Sequence, residues 1–432
     1  MPSYKLTYFP AKAMAEPIRF LFSYGGTEFI DDRFNLEDWL KIKPTTPFGQ
    51  VPVLEVDGKK IAQSTAISRY LAKQYGLAGK DDWESLEIDS IVDTIHDLRI
   101  KIAAYHYESN EMAKEEKFKH AKETVPYYLE RLNAQVQKNG GYFVGGALTW
   151  ADLTFVALLD YLNYMSQENI IEKYENLKQL KQKVEKIPAI KSWIEKRPPS
   201  DLSVVFRWQR APHRLSGSQL SQKLQIINKN MSTHKLIYFN ITGLGEPIRF
   251  LLNQSGIKFE DVRVEIEDWP KLKPSMPMGQ IPVLEVDGKQ YNQSKAISRY
   301  VAKKGNLYGS NELEAMEIDA TVDNIDDMRL ALSTYYWEKD PVFKEKLKQI
   351  AFEKWPFFLD KLEAQVKKNG GYFVNGKLSW ADLLWTAYSD YLTVVLSEDP
   401  NKNHPELKKL VEKVRALPNI KAYIEKRPKT QV

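Results

Sequence analysis

The sequence predicts a tandem protein. Each of two copies should be a small α/β domain followed by an all-helical domain. Three observations carry that expectation. The chain has 432 residues, room for roughly three domains at about 150 residues each. Slid by 230 residues it lies on itself: YKLTYF (4–9) meets HKLIYF (234–239), FGQVPVLEVDGK (48–59) meets MGQIPVLEVDGK (278–289), and IEKRP (194–198) meets IEKRP (424–428). Within each copy, strand-like segments come first and helical periodicity follows. The repeat is far longer than the roughly 20–50 residues of a solenoid unit. It is a duplication of a whole unit.

The elements follow in order. KLTYF (5–9) alternates as a strand, and residues 16–24 carry Ile18, Leu21 and Phe22 at helical spacing before Gly25-Gly26 stops the helix. EFIDDRF (28–34) is a second strand, and VPVLEVDGKKIA (51–62) is a hairpin turning at Asp57-Gly58. The helix that follows has Ser64 as its N-cap, Ile67, Tyr70 and Leu71 on one face, and Gly76 as its stop. Beyond residue 81 helices alone are expected, beginning with WESLEIDSIVDTIHDLRIKIAAYHY (83–107). Thr149 with Asp152, and Ser379 with Asp382, have capping-box spacing. That motif is read as structural, and the glycines of NGGYFV as a helix-ending turn. The expected bounds are 1–78 and 79–202 for the first copy, 203–233 for a linker, and 234–308 and 309–432 for the second.

Composition narrows the function classes. The chain is 43% hydrophobic and 28% charged, the balance of an ordinary globular protein. It has no cysteine, which excludes disulfides, thiolate metal sites and a cysteine nucleophile. No apolar run approaches the roughly 18 residues of a membrane span, and the first residues lack a signal-like pattern. A cytoplasmic protein without a membrane partner is expected. The net charge of +5 is matched by Arg207, Arg210, Arg214, Lys223 and Lys229, in a stretch without acidic residues. The two copies therefore balance to zero, which argues against a nucleic-acid partner. The linker either is formerly intervening sequence that joins two once-separate coding units or reflects an error in predicting the gene.

QSTAISRY (63–70) recurs as QSKAISRY (293–300). Gln-Ser at a helix start places an amide and a hydroxyl beside free backbone N–H groups, which suits a carboxylate. The hairpin before it opens on Val51-Pro52. A cis bond there would turn the Val51 backbone outward to pair with an extended peptide. Together these suggest a short anionic peptide as ligand.

YKLTYF, EPIRF, the DW…K…FGQVPVLEVDGK…QS run and TWADL, in this order, resemble the cytosolic glutathione transferases of the sigma class. That class includes haematopoietic prostaglandin D synthase and invertebrate enzymes. The resemblance covers about 1–202 and 234–432. It implies a thioredoxin-like glutathione domain and an all-helical domain in each copy. The activity it implies is conjugation of glutathione to small hydrophobic electrophiles, with peroxidase or prostaglandin isomerase side activity.

The resemblance also implies the site. Tyr8 and Tyr238 would activate the thiol. Trp39 and Lys43, with Trp269 and Lys273, would hold the glycine end of glutathione. Gln50, Val51 and Pro52, with Gln280, Ile281 and Pro282, would meet its backbone. Gln63 and Ser64, with Gln293 and Ser294, would hold the γ-glutamyl end. Asp97 and Asp327 would reach the γ-glutamyl amine across a dimer interface, with the copies pairing inside one chain or the chain dimerising. No cofactor beyond the co-substrate is required, and no metal site is expected. At most, Mg²⁺ or Ca²⁺ binds loosely at Asp93, His96 and Asp97 or at Asp323, Asp326 and Asp327.

One departure stands out. Met14 and Leu244 occupy the position where many vertebrate members have an arginine that supports thiol activation. The electrophile pocket also differs, with Phe9-Pro10 and Tyr105-His106 against Phe239-Asn240 and Tyr335-Tyr336. A structural, crystallin-like protein or a ligand carrier on the same fold is the alternative; both sites look complete, which favours the enzyme.

Overall fold

A computed structural model describes residues 2–208 and 233–430. The chain divides into two compact units, one built on each copy. The first opens with β1 (Tyr4–Tyr8), α1 (Glu16–Tyr24), β2 (Ile30–Arg33), the short α2 (Trp39–Ile42), β3 (Val53–Val56), β4 (Lys59–Ala62) and α3 (Ser64–Gln74). The sheet order is β2-β1-β3-β4, with β1 and β2 parallel and the other pairs antiparallel. This is the thioredoxin-like half. Asp57 and Gly58 both take positive φ, 48° and 85°, as a two-residue hairpin turn demands.

The helical half comprises α4 (Asp82–His106), α5 (Glu111–Lys138), α6 (Trp150–Ser166), α7 (Glu175–Glu185) and α8 (Pro188–Lys196). The second unit repeats the plan as β5 (His234–Phe239), α10 (Glu246–Gln254), β6 (Phe259–Val264), α11 (Trp269–Leu272), β7 (Val283–Val286), β8 (Lys289–Asn292) and α12 (Ser294–Lys304). Its helices are α13 (Glu312–Trp337), α14 (Pro341–Lys368), α15 (Trp380–Leu396), α16 (Pro405–Arg415) and α17 (Pro418–Lys426).

Buried ion pairs lock the two halves of each unit. Arg69 Nε donates to Asp89 Oδ1 at 2.8 Å, and Arg299 Nε to Asp319 at 2.9 Å, tying α3 to α4 and α12 to α13. Glu16 accepts from Trp193 of α8 and from Arg197 just beyond it, and Glu246 from Tyr423 of α17 and from Arg427 just beyond it. The capping boxes form in full. Asp152 accepts from Thr149 N, Thr149 Oγ1 and Phe143 N at 2.7, 2.8 and 2.9 Å, and Asp382 does the same from Ser379 and Phe373. Burial, against the opposing pull of these donors, raises both carboxyls to about 6.

Two details differ from the sequence reading. The N-cap of α3 is Gln63, not Ser64: Ile67 N bonds to Gln63 O at 3.1 Å, and Ser64 is the first helical residue. The start of the stretch read as linker is a helix, α9 (Ser203–Trp208). Asp201 accepts from Ser203 N and Oγ at its start, and Val204 and Val205 are buried, which favours helix over coil. Residues 209–232 of that stretch lie outside the described residues.

Candidate active site

The sheet register places the site. Thr7 faces Val53 on β3, and Val53 faces Ala62 on β4. The next row outward is therefore Tyr8, Pro52 and Gln63. In the second unit Ile237, Val283 and Asn292 are matched, so the next row is Tyr238, Pro282 and Gln293. Both X-Pro bonds, Val51-Pro52 and Ile281-Pro282, are cis.

Gln63 and Gln293 sit at φ of 75° and 73°, a region side-chain-bearing residues avoid. Such an outlier in both copies points to a constraint beyond folding. It leaves the first N–H groups of α3 and α12 facing the turn. Gln63 Nε2 donates to Gln50 Oε1 at 3.1 Å, so the structure joins two residues that the sequence placed on opposite ends of the hairpin. Ser64 and Ser294 start their helices. Trp39 and Trp269 start α2 and α11, and Lys43 and Lys273 follow directly on those helices. Trp39 packs on Phe9 and stacks on Phe34, both at 5.8 Å, and Trp269 meets Phe239 at 5.5 Å. Val51 and Ile281 lie between the Gln and the cis-proline, with Val51 buried and Ile281 half-buried.

Tyr8 and Tyr238 are 2% and 5% exposed. Burial pushes both phenols up, so at neutral pH each is an O–H donor rather than a base. The Leu244 backbone N–H donates to Tyr238 Oη at 3.0 Å, and the Met14 backbone bonds Tyr8 in the same way. A phenol oxygen that already accepts a hydrogen bond donates its own proton more strongly. In both copies the main chain at positions 14 and 244 meets the tyrosine oxygen, and no arginine side chain stands there.

Residues 3–73 and 234–303 match the glutathione S-transferase N-terminal domain, and residues 96–197 and 326–427 match the glutathione S-transferase C-terminal domain. The chain belongs to the glutathione S-transferase family. It is similar to a glutathione S-transferase of Anopheles gambiae, 51% identical over 203 residues, which are 47% of this chain and 100% of that protein. It is similar also to glutathione S-transferase S1 of Drosophila melanogaster, 47% identical over 201 residues covering 46% of this chain and 81% of that one. The hematopoietic prostaglandin D synthase of Gallus gallus is 44% identical over 200 residues, 46% of this chain and 98% of that protein. The chain is a transferase enzyme with two tandem units, of a family that uses glutathione as co-substrate.

Around the transferase site lie groups that sequence reasoning passed over. Arg19 is buried behind Tyr8, its guanidinium 6.0 Å from the ring centroid, and bonds Glu16, Asp31 and the Ala11 carbonyl. Arg249 repeats this behind Tyr238 at 5.9 Å. The repeated EPIRF motif, with two charges inside an apolar helix, was the available signal. Asp97 is half-buried on α4 and Asp327 exposed on α13. Asp323 pairs with Lys295 at 2.8 Å, and Asp326 lies 3.9 Å from the same lysine. The carboxylates grouped for Mg²⁺ or Ca²⁺ are thus partly neutralised. Among the described residues no group of three or more His, Asp or Glu side chains is placed to hold a metal ion, and no helix is long and apolar enough to cross a membrane.

Proposed function

We propose that each copy is a working sigma-class site that conjugates glutathione to small hydrophobic electrophiles. One observation carries the proposal: the register row of tyrosine, proline and glutamine, with a backbone N–H on the tyrosine, occurs in both units. Gln63 and Ser64 at the start of α3 would bind the γ-glutamyl carboxylate, Gln50, Val51 and Pro52 the peptide backbone, and Trp39 and Lys43 the glycine end. Gln293, Ser294, Gln280, Ile281, Pro282, Trp269 and Lys273 would do the same in the second copy. Asp97 and Asp327 would serve the γ-glutamyl amine of a paired copy.

The chemistry follows from the phenol. A thiol of pKa about 8.5 is mostly protonated at neutral pH. Tyr8 or Tyr238, held neutral by burial, donates its O–H to the sulfur and stabilises the thiolate. The thiol proton leaves to solvent, the sulfur attacks the electrophilic carbon, and the leaving group departs. The same thiolate could reduce a hydroperoxide or open a prostaglandin endoperoxide, as the resemblance to the prostaglandin D synthase suggests. We further assign the domain bounds 1–78, 79–202, 234–308 and 309–432, a cytoplasmic location, and pairing of the copies within one chain or between two.

Titration calorimetry with glutathione tests the sites directly: two sites per chain are expected, and one site would overturn the reading. Conjugation of a generic aryl halide separates the enzyme from a ligand carrier or structural protein. It should proceed on the full chain and vanish to near background in the Tyr8→Phe, Tyr238→Phe double variant.

A further inference from the structure

The two copies carry the same arginine in opposite electrostatic states. Arg99 on α4 and Arg329 on α13 are 230 residues apart and occupy equivalent positions. Positions four and eight further along the same helix face are Ala103 and Tyr107 in the first copy, Ser333 and Trp337 in the second. In the second copy the guanidinium is bonded through two of its nitrogens. Arg329 Nε donates to Asp326 Oδ1 at 2.7 Å and a terminal nitrogen to Ser333 Oγ at 3.4 Å. Ser333 in turn bonds Tyr391 Oη at 2.8 Å, and Trp337 Nε1 donates to that same hydroxyl at 3.3 Å. Tyr388 Oη donates to Asp326 at 3.4 Å, and the Arg329 guanidinium lies 5.7 Å from the Tyr388 ring. Burial would raise the Asp326 carboxyl, but the Arg329 and Lys295 charges hold it below the ordinary range.

The three side chains that meet Arg329 directly are missing from the first copy by sequence. Asp326, Ser333 and Tyr388 correspond to His96, Ala103 and Leu158. His96 instead meets Thr65 Oγ1 at 3.1 Å. Among the described residues no carboxylate pairs with Arg99, and its buried Nε has no hydrogen-bond partner. The guanidinium lies close enough to Tyr8, Tyr107 and Tyr161 that, while burial pushes all three phenols up, its charge opposes the rise in each. Tyr107 and Tyr161 bond each other at 2.6 Å. Beside Tyr107 and Ala103 lies a shallow, open surface hollow of about 330 Å³, lined also by Ile100, Ala104 and Glu108. Glu108 is held by Lys117 at 2.6 Å.

We propose that the copies sort electrophiles by charge: the first takes electrophiles bearing a carboxylate, held by Arg99 beside Tyr8, and the second takes uncharged ones because Asp326 already neutralises Arg329. This rests on the reading of Tyr8 and Tyr238 as thiol activators. A half-buried cation whose buried Nε has an unmet donor gains a charge-assisted hydrogen bond when a carboxylate arrives. The same carboxylate entering the second site would find the cation engaged and would face the Asp326 charge. His96 and Asp326 are the residues that set this difference, acting through the arginine three positions on.

The test uses the full chain and two matched electrophiles, 4-chloro-3-nitrobenzoate and its methyl ester. In both, the sulfur–carbon bond forms, the carbon–chlorine bond breaks, chloride leaves and the thiol proton passes to solvent. Tyr238→Phe isolates the first copy and Tyr8→Phe the second. The acid-to-ester ratio of kcat/KM cancels the difference in intrinsic reactivity. It should be about tenfold or more higher for the first copy, and one such decade corresponds to about 1.4 kcal/mol. His96→Asp should lower the ratio of the first copy, and Asp326→His should raise that of the second. Equal ratios, or ratios unmoved by both exchanges, overturn the proposal. Calorimetry of the wild-type chain with the carboxylated glutathione conjugate gives a second reading. Two sites differing about tenfold in affinity support charge sorting, and two equal sites refute it. Should the Tyr8→Phe, Tyr238→Phe double variant keep the full wild-type rate on the ester, the tyrosine reading fails on its own, and the calorimetry still decides the sorting.

Discussion

Trp39 and Trp269 stand at the same place in their units, yet only the first is sealed. Trp39 is 1% exposed, stacked on Phe34 and packed on Phe9. Trp269 is half-buried, and the residue matching Phe34 is Val264, which offers it no ring. The first unit also carries α9, which packs against the Leu36–Asp38 turn just before Trp39, while Asp201 N bonds the Pro10 carbonyl at 2.9 Å. A second contrast flanks the tyrosines. Tyr8 is followed by Ala13 and Ala15, Tyr238 by Gly243 and Gly245. A Cβ on Gly245 would lie 2.4 Å from Tyr238 Cδ1. The two copies share a motif set but differ in how tightly each motif residue is held. A motif fixes which groups meet; the residues around it fix how firmly.

The sharpest way to divide the copies is to remove one phenol at a time. Tyr8→Phe should lower kcat/KM of the first copy by about 10- to 100-fold, roughly 1.4–2.8 kcal/mol of transition-state stabilisation, while leaving glutathione affinity near wild type. Tyr238→Phe should do the same to the second alone. Steady-state kinetics of the two single variants against wild type checks this, and a large rise in glutathione Kd would show that the ring position, not the donor, had changed.

Next in size is a stability contrast. Asp152→Ala leaves three buried donors without an acceptor and should destabilise the first unit by about 2–4 kcal/mol. Asp382→Ala should act equally on the second. If the units unfold separately, calorimetric scans will show a different transition moving in each variant.

A smaller effect is expected from Gly245→Ala. The ring of Tyr238 must move to admit the methyl group, an overpacking strain of about 1–3 kcal/mol. Conjugation by the second copy should fall several-fold, whereas Ala15→Gly should leave the first copy within about twofold. Equal effects in the two directions would mean the tyrosines are seated alike. Smaller again is the role of α9. Val204→Asp should loosen the packing before Trp39 and raise the glutathione KM of the first copy about two- to fivefold, a change of roughly 0.4–1 kcal/mol, without touching the second.

A separate effect is on pH dependence. Burial raises the folded pKa of Asp152 and Asp382 from 3.8 to about 6. The folded state therefore binds more protons between those values, and stability contributed by the protonated form is present below pH 4 and lost as pH rises through about 6. Asp382→Asn should flatten the second unit's dependence of Tm on pH across that window.

Most of the architecture was legible because the repeat showed each element twice. Residues 16–24 were read as a helix and are one, and Asp57-Gly58 turns the hairpin as its residue types require. The cap of α3 was misplaced by one residue because a side chain's capping preference says nothing about an unusual φ at Gln63. The start of α9 hid in a stretch whose Pro212, Gly217 and serines spoke for coil. The state of Arg99 was illegible for another reason. It depends on residues 96, 103 and 158, which only packing of α4 on α6 brings to one place. The donor to Tyr8 could not be read at all, since it belongs to the backbone.

That last feature changes how the chain can drift. A helper supplied by a side chain ties one codon to one amino acid, and most point mutations there are losses. A helper supplied by the main chain at Met14 and Leu244 is indifferent to what the side chain is. On the proposed reading of the tyrosines, methionine in one copy and leucine in the other would be neutral variants of a single working state. Only proline, which has no N–H to give, closes the position. A duplicated gene can accumulate substitutions at such a site in either half without a toll on turnover, and the freedom shows first in the half whose surroundings leave more room.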